Sequence, residues 1–295
     1  MSIPTIDNAM VIEFSAQVHV AAQQSKARMR PYVNIKPMSG DVFAYDGLGS
    51  VEATEITTRH TPVVFGDISH NRRKISRRRF ALTLPIDDSD VRGMLLNPQS
   101  EYAVACAKAM ERVFDRIVVE ALFADVYTGR DFGTTVAFAA DGGATVTATG
   151  GLTYAKLLEI NQNWIDSDVG NDAPVTKVIG ITGDEHTTLM KENELTNGDF
   201  TRASVVDAGE IVKANGLNII KFAGAISRPI LNVASAVRSC FAMAQNGMCV
   251  GISKEMAISI KDRPDLYETT QVEIIFELGA VRTEGKLVQK VTATE

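Results

Sequence analysis

Cysteine, histidine and long apolar runs are scarce in this chain, and each shortage removes a class of function. The 295 residues hold three cysteines, Cys106, Cys240 and Cys249, odd in number, widely spaced and without a C-x-x-C pair. Neither a zinc ribbon nor a dithiol redox centre is built that way, and the three read as reduced, buried thiols. His19, His60 and His70 are scattered and form no metal-binding cluster. No apolar stretch approaches the roughly 20 residues that span a bilayer. The N-terminal MSIPTIDNAMVIEF lacks a basic segment followed by a signal-peptide core. The expectation is a cytoplasmic product with no membrane partner. Catalytic signatures are missing too: there is no G-x-S-x-G, no H-E-x-x-H and no G-x-x-x-x-G-K-S/T. The nearest glycine pattern, GLGSVE from Gly47, has Glu52 where a dinucleotide fingerprint needs its third glycine.

What remains is an ordinary globular composition, 45% hydrophobic and 22% charged, with a net charge of -6. Against that acidic background one stretch stands out. HNRRKISRRRFALTLP, residues 70–85, packs Arg72, Arg73, Lys74, Arg77, Arg78 and Arg79 into eight positions and then becomes an alternating apolar strand. Residues 59–79 carry a net +6, which leaves the rest of the chain at -12. A solvated face is one reading of such a run. Sequence-specific DNA binding is poorly served, because the cluster has neither a recognition-helix context nor interleaved stacking aromatics; non-specific phosphate contact stays open.

Periodicity organises the rest. Val63 and Phe65 alternate on one run, and Phe80, Leu82 and Leu84 share one face of a second, with Arg79, Ala81 and Thr83 opposite. The pattern predicts two strands joined by a polar segment around Ser69–Arg73, a long hairpin with little core of its own. Asn97 and Pro98 then open a helix predicted to run to about Val126, with Tyr102, Cys106, Met110, Val113 and Ile117 on its apolar stripe. Arg116 and Glu120 are spaced for an i,i+4 ion pair on its other side.

Beyond the glycine turns at Gly142-Gly143 and Gly150-Gly151, the pattern becomes α/β. Helices are predicted in TYAKLLEINQNWID and GDEHTTLMKEN, and strands in VTKVIGIT, NIIKFAG and SCFAMA. Asp184, Glu185 and His186 are adjacent on a helix and cannot converge on one ion, so Asp184 is expected to cap or charge the helix N-terminus. Val272, Ile274, Phe276 and Leu278 alternate with Glu273 and Glu277 in a late strand, and a turn near Glu284-Gly285 leads into a last one. An α/β enzyme with an unrecognised site is not excluded by these patterns, but no motif supports one.

The order of parts, with the NPQSEYAVACAKAMERVFDRIVVEAL helix and the C-terminal GAVRTEGKLVQKV, resembles the major capsid proteins of tailed bacteriophages. Their fold is named after phage Hong Kong 97 and is shared by encapsulins and the herpesvirus capsid floor. The resemblance implies an α+β fold with an N-terminal helix and arm (1–58), an extended β-hairpin loop (59–86) and a peripheral domain (87–149) with a spine helix at about 98–126. It further implies an axial α/β domain (150–260) and a return to the peripheral domain in the C-terminal strands (261–295). The function implied is a non-catalytic shell subunit, without cofactor or metal, assembling as pentamers and hexamers into an icosahedral head around double-stranded DNA. An encapsulin-type compartment shell is the alternative on the same fold.

Under this resemblance Arg72, Arg73, Lys74, Arg77, Arg78 and Arg79 make intersubunit contact with acidic surface on a neighbour. Met110, Val113 and Ile117 form the core face of the spine helix. Asn197, Gly198, Gly209 and Gly216 hinge a loop at the axial tip. The partners implied are further copies of the chain, a separate scaffolding protein, a portal, a cementing protein and packaged DNA. The place is the virion capsid, assembled in the bacterial host cytoplasm. Lys74 is the lysine of the loop, and no acceptor for a covalent crosslink is identified.

Overall fold

The computed structural model describes residues 23–59, 62–63, 65–86, 99–192, 195, 210–224, 229–266 and 269–294. The chain divides into two compact units, a larger one of Ala27–Arg78, Arg112–Ser253 and Glu277–Glu295 and a smaller one that takes in Arg79–Glu111 and Lys254–Phe276.

The larger unit holds a mixed sheet of seven strands. In spatial order its main path is β7 (Ala144–Ala148), β15 (Val288–Thr294), β12 (Val237–Ala244), β8 (Lys177–Ile181), β10 (Leu217–Lys221) and β9 (Lys213–Ala214), with β11 (Val233–Ala234) paired to β12. Strand β8 and its neighbour β10 are parallel, joined through helix α3 (Gly183–Met190). The run Cys240–Ala244 and the Val178–Ile181 stretch are buried throughout, as continuous apolar strands are when both faces are covered. Helix α2 (Tyr154–Asp166) buries Leu157, Ile160 and Trp164, residues three and four apart on one face. Gln289 of β15 donates to the Ile160 carbonyl at 2.8 Å.

The last strand, β15, lies inside this sheet, antiparallel to β12 and parallel to β7. Its buried Val288, Val291 and Ala293 supply the reason. At Asn215-Gly216 the predicted turn is present: φ is +48° and +78° between the paired Ala214 and Leu217. Two positive φ values in a two-residue hairpin loop suit Asn-Gly.

A second sheet in the same unit runs β2 (Val42–Leu48), β3 (His70–Ser76), β5 (Val126–Thr128), β6 (Thr134–Val136). A third sheet has the order β1 (Asn34–Pro37), β13 (Met248–Arg263), β14 (Thr269–Arg282), β4 (Arg78–Ile86). Within the larger unit β1 is parallel to the start of β13, Asn34 facing Cys249. Met38, Ile75, Val126, Cys249 and Val281 form a buried cluster there, with Phe43 and Tyr45 packed on it. In the smaller unit β4 keeps the predicted alternation, Phe80, Leu82 and Leu84 being the less exposed side. Val272, Ile274 and Phe276 of β14 are fully buried.

Helix α1 (Gln99–Phe123), 25 residues and about 37 Å long at 1.5 Å per residue, occupies most of the predicted span. Cys106, Met110, Phe114, Ile117, Val118 and Leu122 are its buried stripe. Among the described residues, no helix is long and apolar enough to cross a membrane.

Candidate functional site: the basic ribbon and its anchor

The basic run does not turn; it is strand. His70–Ser76 pairs antiparallel with Val42–Leu48, Leu48 opposite His70 and Val42 opposite Ser76. The expected strand at Val63 and Phe65 is absent, and the expected connection at Ser69–Arg73 is largely the strand itself. Extra backbone bonds, Arg77 to the Asp41 carbonyl at 2.9 Å and Gly49 to the Ser69 carbonyl at 2.8 Å, extend the ribbon at both ends. Between them every described residue from Ser50 to Ser69 is exposed. Phe65 is 89% exposed, Ile56 84% and Val63 78%. Leu48, Val51 and Ile68 add to this apolar character. The Val63/Phe65 alternation that suggests a strand is therefore a display of apolar side chains on irregular chain.

Strand geometry sorts the basic residues. Side chains alternate faces, so Arg73 shares the inward face of Ile75 while Arg72, Lys74 and Ser76 face away. Arg72 pairs with Asp46 at 2.6 Å, directly across the ribbon. Arg77 pairs with Asp41 and, at 3.1 Å, with Glu277. Arg78 pairs with Glu120 at 2.8 Å, so the carboxylate expected to serve Arg116 goes elsewhere. The Lys74 ammonium lies 5.9 Å from the Tyr127 ring centroid, and Arg79 is exposed. Of the six basic residues named for intersubunit contact, Arg73 is the buried one, at 6% exposed.

Arg73 belongs instead to a buried ionic triad at the root of the ribbon. Its two terminal nitrogens donate to the two Asp141 oxygens at 2.8 and 2.7 Å, a bidentate fork. Arg282, fully buried, donates from Nε to the same carboxylate at 2.8 Å. Its Nη1 reaches the carbonyls of Leu122 at 2.6 Å and Ala124 at 3.1 Å, satisfying carbonyls that the end of α1 leaves unpaired. The helix ends at Phe123, and Val126 already belongs to β5, paired with Val136. Arg73 also donates to the Arg282 carbonyl at 3.1 Å, and the Arg282 guanidinium sits 5.0 Å from the Phe138 ring. Gly285 makes room for the turn that carries Asp141, since a methyl group there would fall on the Asp141 carbonyl.

Burial works against the Asp141 charge, but the hydrogen bonds from Arg73 and Arg282 outweigh it and hold the carboxyl below its usual range. Burial makes Arg282 less basic than usual, against the pull of Asp141. One carboxylate thus ties β3, the end of α1 and the end of β14 together. The triad fastens the root of the ribbon to the rest of the unit.

The remaining predicted residues fall as follows. Met110 and Ile117 are buried, whereas Val113 is only half-buried because the stripe passes through Phe114. Asn197, Gly198 and Gly209 lie outside the described residues, and Gly216 is in the β9–β10 turn. Asp184 stands in the first turn of α3, where it charges the helix N-terminus as expected, but it is not the cap. Thr182 is the cap residue, and Glu185, 3% exposed, accepts its backbone N–H at 2.8 Å and its hydroxyl. The Arg238 Nε is 3.8 Å from Glu185, both side chains being buried. His186 Nε2 accepts the Ile211 N–H at 3.2 Å. Adjacent in sequence, Glu185 and His186 therefore serve different partners. Among the described residues, no group of three His, Cys, Asp or Glu is placed to hold a metal ion. Asp115 of α1 is fully buried and accepts the backbone N–H groups of Arg28 and Met29 at 2.9 and 3.0 Å.

Residues 6–295 match the family described as phage capsid protein. No curated protein matches. Solved structures do. The capsid structure of cyanophage P-SCSP1u superposes with a TM-score of 0.74 at 14% identity, covering 98% of this chain and 94% of that one. The acidic stable capsid structure of Helicobacter pylori bacteriophage KHP30 gives 0.72 at 12% identity, covering 100% and 99%. The expected tailed-phage capsid fold is the one observed.

Proposed function

The chain belongs to the phage capsid protein family, and from that premise we propose that copies of it join as pentamers and hexamers of an icosahedral head, with the β2–β3 ribbon as the joining element. A capsid protein's role is structural and its place is the virion shell; no catalysis enters this reading. The observation that carries it is the exposed apolar side chains among the described residues of 50–68, on a ribbon whose root is locked by a buried ion triad. A loop of that length without secondary structure is functional more often than not. Apolar side chains as exposed as Phe65 and Ile56 fit a surface that another copy covers. Arg72, Arg77 and Arg78 already have carboxylates within the chain. The ribbon's charges therefore orient and fringe the contact, together with Lys74 and Arg79, while apolar burial supplies its strength.

The loop around Asn197, Gly198, Gly209 and Gly216 is proposed to meet its counterparts around the symmetry axes. A separate scaffolding protein, a portal, a cementing protein and packaged double-stranded DNA are the further partners, with assembly in the host cytoplasm. Replacing Ile56 and Phe65 together by Ser tests the reading. The subunit should keep its stability within about 0.5 kcal/mol, since both side chains are exposed. Negative-stain microscopy should then show capsomer rings and shells for the parent chain and isolated subunits for the variant. Shells of normal yield from the variant would refute the loop's role.

A further inference from the structure

Helix α2 carries two stripes, and the core uses one of them. Leu157, Ile160 and Trp164 are buried. Leu158, Asn161, Gln162 and Ile165, spaced i, i+3, i+4 and i+7, instead line a groove of about 660 Å³ whose other wall includes Lys177 and Asn215. Leu158 is 48% exposed and Ile165 58%. Side-chain hydrogen bonds hold the groove in shape. Asn161 donates to the Asn215 carbonyl at 2.7 Å, and Asn215 donates to the Leu157 carbonyl at 3.2 Å, so the β9–β10 turn is fastened to α2 at this wall.

Among the described residues, Lys177 is the charged side chain that lines this groove. Its ammonium lies 5.0 Å from the Trp164 ring centroid and 3.5 Å from the Asn161 side-chain oxygen, and no carboxylate of the described residues pairs with it. Burial holds it less basic than usual. The face of Trp164 offsets part of the cost of a half-buried cation; a carboxylate would offset more. The segment GSVEATEITT, residues 49–58, has the complementary character. It holds Glu52 and Glu55 and no basic residue; both are exposed, and among the described residues neither has an ion-pair partner. Val51 is 49% exposed and Ile56 84%. Groove and segment are both open in the single chain, so neither covers the other there.

We infer that the groove between α2 and β8 receives the Val51–Ile56 segment of a second copy, its carboxylates facing Lys177 and its apolar side chains against Leu158 and Ile165. That another copy covers the segment rests on the assembly reading above; the surface that receives it is the addition. A groove at one place on the chain and a segment at another make a heterologous contact, which joins copies head to tail and closes them into rings. Apolar burial gives such a contact its strength, and the charge pair sets its register.

The test uses particles assembled from an equal mixture of unlabelled and heavy-nitrogen-labelled full-length chain. A carbodiimide condenses a carboxylate and an amine in contact into an amide with loss of water. Peptide mass spectrometry should then find Glu52 or Glu55 joined to Lys177, with about half of the joined peptides carrying one label of each kind, as a link between copies requires. Replacing Glu52 and Glu55 by Lys, both exposed, should leave the fold intact by circular dichroism and lower the yield of rings and shells in negative stain by about tenfold or more, because like charges then meet. Lys177→Glu should do the same, and the three changes together should restore the yield to within about threefold of the parent. The crosslink and the Glu52 and Glu55 replacements decide the matter even where Lys177→Glu does not fold. Parent shells without this link, links that never join two differently labelled copies, full-yield shells after the Glu52 and Glu55 replacements, or no recovery in a folded triple variant would overturn this inference alone. A parent chain that forms neither rings nor shells overturns it together with the assembly reading.

Discussion

Asp141→Asn removes one charge and almost no volume, and it isolates what the triad contributes. The native carboxylate accepts three charge-assisted bonds, at 2.7 and 2.8 Å from Arg73 and 2.8 Å from Arg282. Each such bond contributes roughly 1.5–3 kcal/mol before the desolvation of the three ions is subtracted. The variant leaves two buried guanidinium groups facing a neutral amide, and breaking a buried ionic cluster in this way costs about 3–5 kcal/mol. Urea denaturation at pH 7 should show that loss. The loss should also depend on pH in a defined direction. Asp141 in the fold stays ionised below the ordinary carboxyl range, so its contribution is complete above about pH 4 and disappears as pH falls through the depressed native value. Parent and variant should therefore converge in acid. Exchanging the whole triad, Arg73→Met with Asp141→Leu and Arg282→Met, should cost less than Asp141→Asn alone, because no unpaired charge remains. A loss under about 1 kcal/mol at pH 7, or a gap that stays constant to pH 3, would refute this account of the triad.

Truncating Met110 or Ile117 to Ala should cost roughly 2–5 kcal/mol each by urea denaturation, with Val113→Ala well below both because it is half-buried; equal, small losses would misplace the helix stripe. All three thiols are buried, so the native chain should not react with a thiol reagent at pH 8 and should yield three equivalents once unfolded. Burial pushes the Cys249 thiol up to about 11, and its contribution to stability is complete below the ordinary thiol range and lost as pH rises through that value; rapid native labelling of Cys249 would contradict this. His186 is held less basic than usual by burial and then by Lys221, against Glu210, and it accepts the Ile211 N–H. Hydrogen-exchange protection of Ile211 should be full above about pH 6.5 and fall as pH drops through the depressed His186 value. His186→Gln, which keeps an acceptor that does not titrate, should make that protection independent of pH between 5 and 7, and a flat profile in the parent chain would disprove the role of His186.

What the sequence discloses is what repeats. The stripes of α1 and α2, the continuous apolar run at β8 and the alternation of Val272, Ile274, Phe276 and Leu278 all follow from local periodicity, and each forms where it is predicted. The ribbon was misjudged because its strands are set by pairing across the intervening loop. VFAYDGL is interrupted by Asp46-Gly47, while Val63 and Phe65 imitate a strand without a partner. Arg73 could have been found: it lies two positions before Ile75 in a strand, and so on the same face. Asp141 could not. Its partners are 68 and 141 residues away, and an aspartate before two glycines is an ordinary turn residue. The role of Asp115 is equally hidden, because helical spacing gives the direction of a side chain but not what another segment brings to it.

The position of β15 bears on when a subunit comes into being. Residues 288–294 enter the sheet between β7 and β12 rather than at its edge, and Arg282, which closes the triad, precedes them by only a few positions. A ribosome that has not yet released this stretch holds a chain whose sheet has a gap in the middle and whose ribbon root lacks its second arginine. Pairings at such sequence separation form late. A chain cut before Val288 leaves β7 and β12 without the strand that lies between them, and one cut before Arg282 also lacks the second arginine of the triad.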